Sequence, residues 1–324
     1  GWLGLEVPDA LGGAGASFAE VAVVAEELGR AAARTPYLGS AVLGVGALGL
    51  AEPDPAGDAL LRDLADGSSV PVLALGAEDE GTGDELPFRV ERSGARARLR
   101  GTSSFVVDAP EADLLLLPAV DADGSAVLVP VSPSASGLLV TSRPVLDATR
   151  RLGDVATDPD GVDVAATELV RLRGDSASCA AALRDRAAVA VACDSLGVAS
   201  AMLDATVAYV AVREQFGRPV GSFQAVKHAC ADMLVQVTVA RALVRVAADE
   251  VATGQLDAGA AVSRAKAYAG DAAVAVAGSA MQLHGGIGYT WESGVHVHLK
   301  RALLDRALFG TPAAHRRRLV VRHR

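Results

Sequence analysis

The chain has 324 residues, 51% of them apolar and 4% aromatic, with a formal net charge of −9. That length supports two or three packed layers around a large core, and the acidic balance argues against a nucleic-acid surface while still allowing a few local arginines to bind phosphates. No uninterrupted apolar run reaches bilayer-spanning length, and Cys179, Cys193 and Cys230 form neither an even framework nor a metal-ligand spacing, which predicts reduced core thiols in a cytoplasmic protein with no membrane partner.

The first segment reads helical, and a domain of helices is expected over 1–69. Ser17 fits an N-cap, and Glu20 three residues on completes a capping box. Val21, Val24, Ala25 and Leu28 give one apolar helical face, with an end expected near Arg34, ahead of Pro36. Short helices fit Ser40–Ala51 and Asp58–Ala65, and Asp66-Gly67-Ser68-Ser69 reads as a turn.

The pattern then changes, and 70–174 reads as a small β domain. Val70–Leu75, Phe88–Glu91, Ala97–Arg100, Phe105–Val107, Leu114–Pro118, Ala126–Pro130 and Leu138–Ser142 are short apolar or alternating runs separated by Gly, Pro, Asp and Ser. They predict an antiparallel barrel or sandwich, with weaker strands to about Leu172. From 175 to 324 the helical period returns. Asp175–Val212, Ser222–Thr253 and Asp257–Leu283 are long Ala-rich segments, followed by Gly294–Leu308 and Pro312–Arg322. Small side chains allow close helix packing, and the expected form is a four-helix bundle.

Several motifs carry chemistry. Arg213-Glu214-Gln215-Phe216-Gly217 follows the first long helix, with Phe223-Gln224 close behind. A guanidinium offers forked donors to phosphate oxygens, and a ring offers a flat apolar face; the alternative is an arginine complementing a helix end. Gln282-Leu283-His284-Gly285-Gly286-Ile287-Gly288-Tyr289 ends another long helix, and its glycines would let backbone N–H groups approach a ligand. Phe309-Gly310-Thr311 lies downstream.

Taken in order, these segments resemble the acyl-CoA dehydrogenase family over essentially the whole chain. Gly1-Trp2-Leu3-Gly4-Leu5-Glu6-Val7-Pro8, Leu99-Arg100-Gly101-Thr102-Ser103-Ser104-Phe105-Val106 and Asp147-Ala148-Thr149-Arg150-Arg151-Leu152 also look like family segments, with Ser103 in place of a frequent lysine. The family has more helix before the first of them, so the resemblance implies a chain truncated at its start. It also implies an α+β multidomain fold of N-terminal helices, a middle antiparallel β domain and a C-terminal helical bundle. The implied reaction is the FAD-dependent α,β-dehydrogenation of an acyl-CoA thioester, with electron-transfer flavoprotein as acceptor. Arg213, Gln215, Phe216, Gln224, Gln282, Gly285, Gly286 and Thr311 are the implied cofactor-binding residues, and the flavin site is implied to be shared between subunits.

One position departs from the pattern. The family's proton-abstracting carboxylate stands directly before the Gly-Thr pair, and here that residue is Phe309. An alternative base position on the long helix falls near Ala187. Asp305, one helical turn before Phe309, reads as a surface or interface acid, or else as a relocated base. The acidic Glu78-Asp79-Glu80 stretch and Ala313, where the family has a glutamine, put the chain's own flavin pocket in doubt. Arg316, Arg317, Arg318, Arg322 and Arg324 read as a solvated helix end or a partner contact. The chain therefore resembles the base-less subunit that some actinobacterial enzymes pair with a base-bearing homologue, as an α2β2 complex acting on bulky acyl-CoAs. Two readings stay beside it: a self-sufficient homo-oligomer with a relocated base, and a scaffold without flavin.

Overall fold

The computed structural model describes residues 1–78, 85–254 and 258–322, so Asp79, Glu80, Asp257 and Arg324 lie outside the described residues. The chain forms two compact units. One comprises Gly1–Val21, Thr35–Val145 and Arg150–Ala187; the other comprises Ala22–Arg34, Leu146–Thr149 and Ala188–Arg324.

Helix α1 runs over Phe18–Arg30. Its start is the expected box: the Ser17 hydroxyl accepts from Ala19 N at 3.2 Å, and the Glu20 carboxylate accepts from Ser17 N at 2.8 Å. Its end falls four residues earlier than expected. Ala32 turns left-handed (φ 44°), and Ala33 N donates to Leu28 O at 2.9 Å, so a Schellman closure stops the helix with alanine where glycine is usual. The segment Leu38–Gly44 is a π-helix that runs into α2, Val45–Gly49. Helix α3, Pro55–Asp66, starts at the N-cap Asp54, whose side chain accepts from Ala56 N.

The first unit is built on a nine-stranded sheet. Its strands are β1 (Pro71–Leu73), β2 (Phe88–Ser93), β3 (Arg96–Val107), β4 (Leu114–Asp121), β5 (Ser125–Val131), β6 (Leu138–Arg143), β7 (Leu152–Thr157), β8 (Val162–Ala165) and β9 (Val170–Asp175). The main path runs β6-β7-β3-β2-β4-β5-β9, with β1 on β4 and β8 on β3. Two expectations need correction. The β2–β4 and β1–β4 pairs are parallel, so the sheet is mixed rather than antiparallel. The two strands expected around Gly101 are one long β3, which a bulge between Ser103 and Val106 bends without ending. Phe88, Val90, Leu99, Leu115, Leu117, Val127, Val129 and Val155 fill its core from alternating positions.

The second unit is helical. Helix α4, Ser176–Val212, passes into it and is followed by α5 (Gln224–Ala252), α6 (Ala258–His284), α7 (Val295–Ala307) and α8 (Pro312–Arg322). Helix α6 packs against α5, α7 and α8, so α8 joins the four helices expected. By length and composition α4 could cross a bilayer, contrary to the sequence expectation. Residues 188–199 are all buried within the fold, which accounts for their apolar character. Two glycines set the approach of α1 to α4. A Cβ on Gly29 would stand 2.1 Å from Asp194 O, and one on Gly197 would stand 1.9 Å from Glu26 O. Backbone meets backbone there, and no side chain can move aside.

Gly197→Ala should therefore lower the unfolding free energy by about 1–3 kcal/mol. Gly278→Ala, where a Cβ meets nothing within 4 Å, should raise it by roughly 0.5–1 kcal/mol through helix propensity. Urea titration of the two variants checks this; equal midpoints would show that the helix crossing relaxes freely.

Candidate functional site

The motif residues gather on the second unit. Helix α4 ends at Val212, and Arg213 N still bonds back to Tyr209 O at 2.9 Å. The chain then makes a tight hairpin, β10 (Glu214–Gln215) against β11 (Arg218–Pro219), with Glu214 opposite Pro219 and Gln215 opposite Arg218. The two loop residues are Phe216 (φ 55°) and Gly217 (φ 75°), both left-handed, as a twisted two-residue hairpin of type I′ requires. Glycine adopts that conformation freely, whereas phenylalanine is strained by about 1–2 kcal/mol. The strained ring is nevertheless 91% exposed, edge-on to Phe223 at 6.1 Å. Arg218 lies over the Phe223 ring at 4.1 Å, and Gln224 opens α5 in solvent.

Helix α6 ends at His284, and Gly285 (φ 63°) turns the chain into a 3-10 stretch, Gly285–Tyr289. Gly288 is required, because a Cβ there would stand 2.6 Å from Met281 O. Gly285 and Gly286 differ: a Cβ on either would meet nothing within 4 Å, so their backbone faces open space. The two motif segments are tied together beneath the surface. The Tyr209 ring stacks on His284 at 4.5 Å with 17° between planes, and Tyr209 Oη donates to His284 O at 3.4 Å. His284 Nδ1 lies 2.7 Å from Ala280 O, which makes it the protonated nitrogen and fixes the ring. The pairing of Tyr209 with His284 was not legible in the sequence, since no spacing rule links residues 75 apart.

Arg213, Gln215, Phe216, Gln224, Gln282, Gly285, Gly286 and Thr311 are all exposed. The Thr311 hydroxyl also caps α8, accepting from Ala314 N at 3.2 Å. Phe309 is different: it is 5% exposed, with φ 51°. Ala187 is fully buried on α4. Neither side chain can accept a proton.

Asp305 is not the expected surface or interface acid. It is fully buried, one helical turn from Arg301, with 3.8 Å between carboxylate and guanidinium. Fully buried Lys266 of α6 lies within electrostatic reach of Asp305. A fully buried carboxylate beside a guanidinium has the surroundings of a structural charge partner. Lys266 donates to Gly310 O at 2.9 Å and to Arg306 O at 3.4 Å. Burial pulls its amine down to about 8, with Asp305 and Asp271 opposing the shift and Arg306 adding to it.

In the other unit the described part of the acidic loop lies along β3. Gly76 bridges to Val106, Ala77 N donates to Phe105 O at 3.3 Å, and Glu78 is exposed. Ser103 is buried at the β3 bulge. Arg316 is not simply solvated, since Asp271 accepts from both Arg316 (2.5 Å) and Arg306 (2.7 Å).

Comparison with known proteins identifies the family. The models for the acyl-CoA dehydrogenase C-terminal and N-terminal domains match residues 178–323 and 1–52. Acyl-CoA dehydrogenase IpdE2 of Mycolicibacterium smegmatis is 34% identical over 97% of this chain and 82% of its own length. The chain belongs to the acyl-CoA dehydrogenase family. Among solved structures, a chain of the ChsE4-ChsE5 complex from Mycobacterium tuberculosis superposes with a TM-score of 0.87 at 29% identity, covering 99% of this chain and 84% of that one. A variant of the steroid acyl-CoA dehydrogenase Tcur3481-Tcur3483 gives 0.85 at 30% identity, covering 99% and 85%.

FAD is the cofactor that goes with the acyl-CoA dehydrogenase family, and the exposed corner fits its ADP half. Exposed Arg213 could offer its guanidinium to phosphate oxygens, Gly285 and Gly286 could offer unobstructed backbone, and exposed Phe216 a flat apolar face. Tyr209 acts only through position. Tyr209→Leu should weaken FAD binding of the assembled oligomer by about three- to tenfold, the worth of the aromatic stack. Tyr209→Phe, which keeps the ring and drops a long hydrogen bond, should stay within about twofold. Flavin titration separates the two; equal losses would assign the effect to the hydroxyl.

The buried amine predicts a pH dependence. Between about 8 and the ordinary lysine value of 10.5 the unfolded chain takes up a proton at residue 266 that the folded chain does not hold. Stability contributed by this group therefore rises with pH across that window. In urea titrations between pH 7.5 and 10.5, the natural chain should gain on Lys266→Met as pH increases; parallel curves would refute the burial effect.

Proposed function

We propose that this chain is the base-less subunit of a heteromeric FAD-dependent acyl-CoA dehydrogenase, lending the corner built on Arg213 and Gly285-Gly286 to a flavin held chiefly by a base-bearing partner subunit. The observation that carries the reading is the contrast within one unit. The nucleotide-facing residues stand exposed and pre-shaped, while Phe309, at the family's base position, is buried and cannot take a proton. An exposed donor set with no enclosing wall among the described residues of its unit fits a site completed by a second chain.

Arg213 would fork onto the pyrophosphate, Phe216 would lie against the adenine, and Gln282 with the Gly285-Gly286 backbone would complete the contact. FAD, when bound, accepts a hydride from the substrate's β-carbon. The α-proton would go to a carboxylate on the partner, because neither Phe309 nor Ala187 can receive it. Burial of Asp305 beside Arg301 and within the field of Lys266 weighs against a self-sufficient enzyme using that acid. The likeness to a chain of the ChsE4-ChsE5 complex supports a heteromer, and the likeness to a steroid acyl-CoA dehydrogenase supports a bulky acyl-CoA substrate such as a steroid side chain. We further propose an α2β2 assembly in the cytoplasm, with electron-transfer flavoprotein as acceptor in β-oxidation.

Co-expression with a base-bearing homologue, followed by light scattering and flavin absorbance, tests this. The expected result is an α2β2 complex with one FAD for each unlike pair and little acyl-CoA-dependent acceptor reduction by this chain alone. Arg213→Ala should weaken FAD binding by roughly ten- to a hundredfold, the loss of a charge-assisted hydrogen bond. A homotetramer with one FAD per chain and full turnover would overturn the proposal, and a colourless complex would favour a scaffold.

A further inference from the structure

The turn between α7 and α8 has an unusual conformation for its sequence. Phe309 sits at φ 51° and Gly310 at φ 101°. A bulky residue in the left-handed region persists only where its surroundings hold it there. The holding groups lie underneath, on α6 and α8. Lys266, fully buried on α6, donates from one ammonium to Gly310 O (2.9 Å) and Arg306 O (3.4 Å). The Arg306 carbonyl belongs to the last turn of α7, where helix carbonyls lack partners and a cation is favoured. His315, 3% exposed on α8, places Nε2 3.0 Å from Phe309 O and Nδ1 3.3 Å from Ser263 Oγ. A carbonyl can only accept, so Nε2 carries the proton and Nδ1 accepts from the serine hydroxyl. Gly310 permits this approach, since a Cβ there would stand 2.6 Å from Nε2.

We propose that Lys266 and His315 are positioning residues that fix the backbone of residues 308–311 from beneath, so that the place of side chain 309 is set by the lock and not by the phenyl ring it carries. The inference rests on the reading of 309 as the base position of the family. Three successive features serve one geometry: the carbonyls of 306, 309 and 310 all point to the buried pair, and the residue that must be glycine is the one His315 passes. None of these contacts involves the Phe309 side chain. The chain thus retains the mounting of a catalytic group while presenting a ring that does no acid–base chemistry.

Hydrogen exchange read by mass spectrometry on the full chain, without flavin, tests the lock. Lys266→Met and His315→Leu should each raise exchange in a peptide covering 306–315 by about tenfold or more, the loss of a buried hydrogen bond. Peptides from α5 and from the sheet should be unchanged. His315→Gln, which can still donate to the Phe309 carbonyl, should restore most of the protection, and Phe309→Leu should leave the turn as slow as in the natural chain. Unchanged exchange in both lock variants, a failure of glutamine to rescue, or faster exchange in Phe309→Leu would overturn the proposal. Should Lys266→Met not accumulate folded, the His315 pair decides alone. No flavin enters the measurement, so its failure and that of the shared-site reading are separate results.

Discussion

One guanidinium organises the helical unit. Arg301 is 2% exposed and donates through Nε and Nη2 to both oxygens of Asp194, at 2.9 and 2.7 Å. Its Nη1 reaches Thr149 Oγ1 at 2.7 Å and Ala33 O at 3.4 Å. Four separate stretches of chain meet on it: α7, α4, the Leu146–Thr149 segment and the tail of α1. Burial alone would pull such a group's proton affinity down, but Asp194, Asp305 and Asp147 hold it further up, so it stays charged at every accessible pH. Removing one partner from a buried pair typically costs about 3–5 kcal/mol, because the other charge is stranded. The fold depends less on the strength of this pair than on its indivisibility.

The arrangement beyond Arg301 alternates in sign. Asp194 faces Arg301, Arg301 faces Asp305, and Asp305 lies in the field of Lys266, which ends on the carbonyls of the turn before α8. A desolvated charge is tolerable only when its neighbours complete its hydrogen bonds and balance its sign. Each member here serves as the condition for the next. Helix α1 meets α4 through glycines, Gly29 on Asp194 and Gly197 on Glu26, where the contact is close and steric, and through the Arg30–Asp204 ion pair at 3.0 Å. Small residues set the helix spacing and the ladder of charges sets register.

The sequence disclosed the parts with local rules. The Ser17–Glu20 box and the strand runs between breakers follow from short spacings, and they were legible; the Phe216-Gly217 hairpin was not, because it puts a phenylalanine in the left-handed region. The motif residues that stand exposed on the second unit were legible through their order along the chain. What stayed hidden depends on burial. Asp305 looks like any acid on a charge-dotted helix, and nothing nearby in sequence marks it as buried beside Arg301 and in the field of Lys266. Lys266 did not stand out either, since Arg264 lies two residues before it in the same alanine-rich helix. Ala32 ended α1 early because an alanine adopted a conformation that propensity reserves for glycine. The parallel β2–β4 pair likewise depends on long-range topology, which short apolar runs do not encode.

The Tyr209–His284 stack has a thermodynamic consequence. It joins the end of α4 to the end of α6, so the hairpin and the glycine turn are ordered when the chain folds, before any ligand arrives. The conformational entropy of shaping that corner is lost during folding and is absent from the binding equilibrium. If the proposed shared site holds, encounter with a nucleotide seated on another chain would resemble the docking of two finished surfaces, its rate set by orientation rather than by a slow rearrangement.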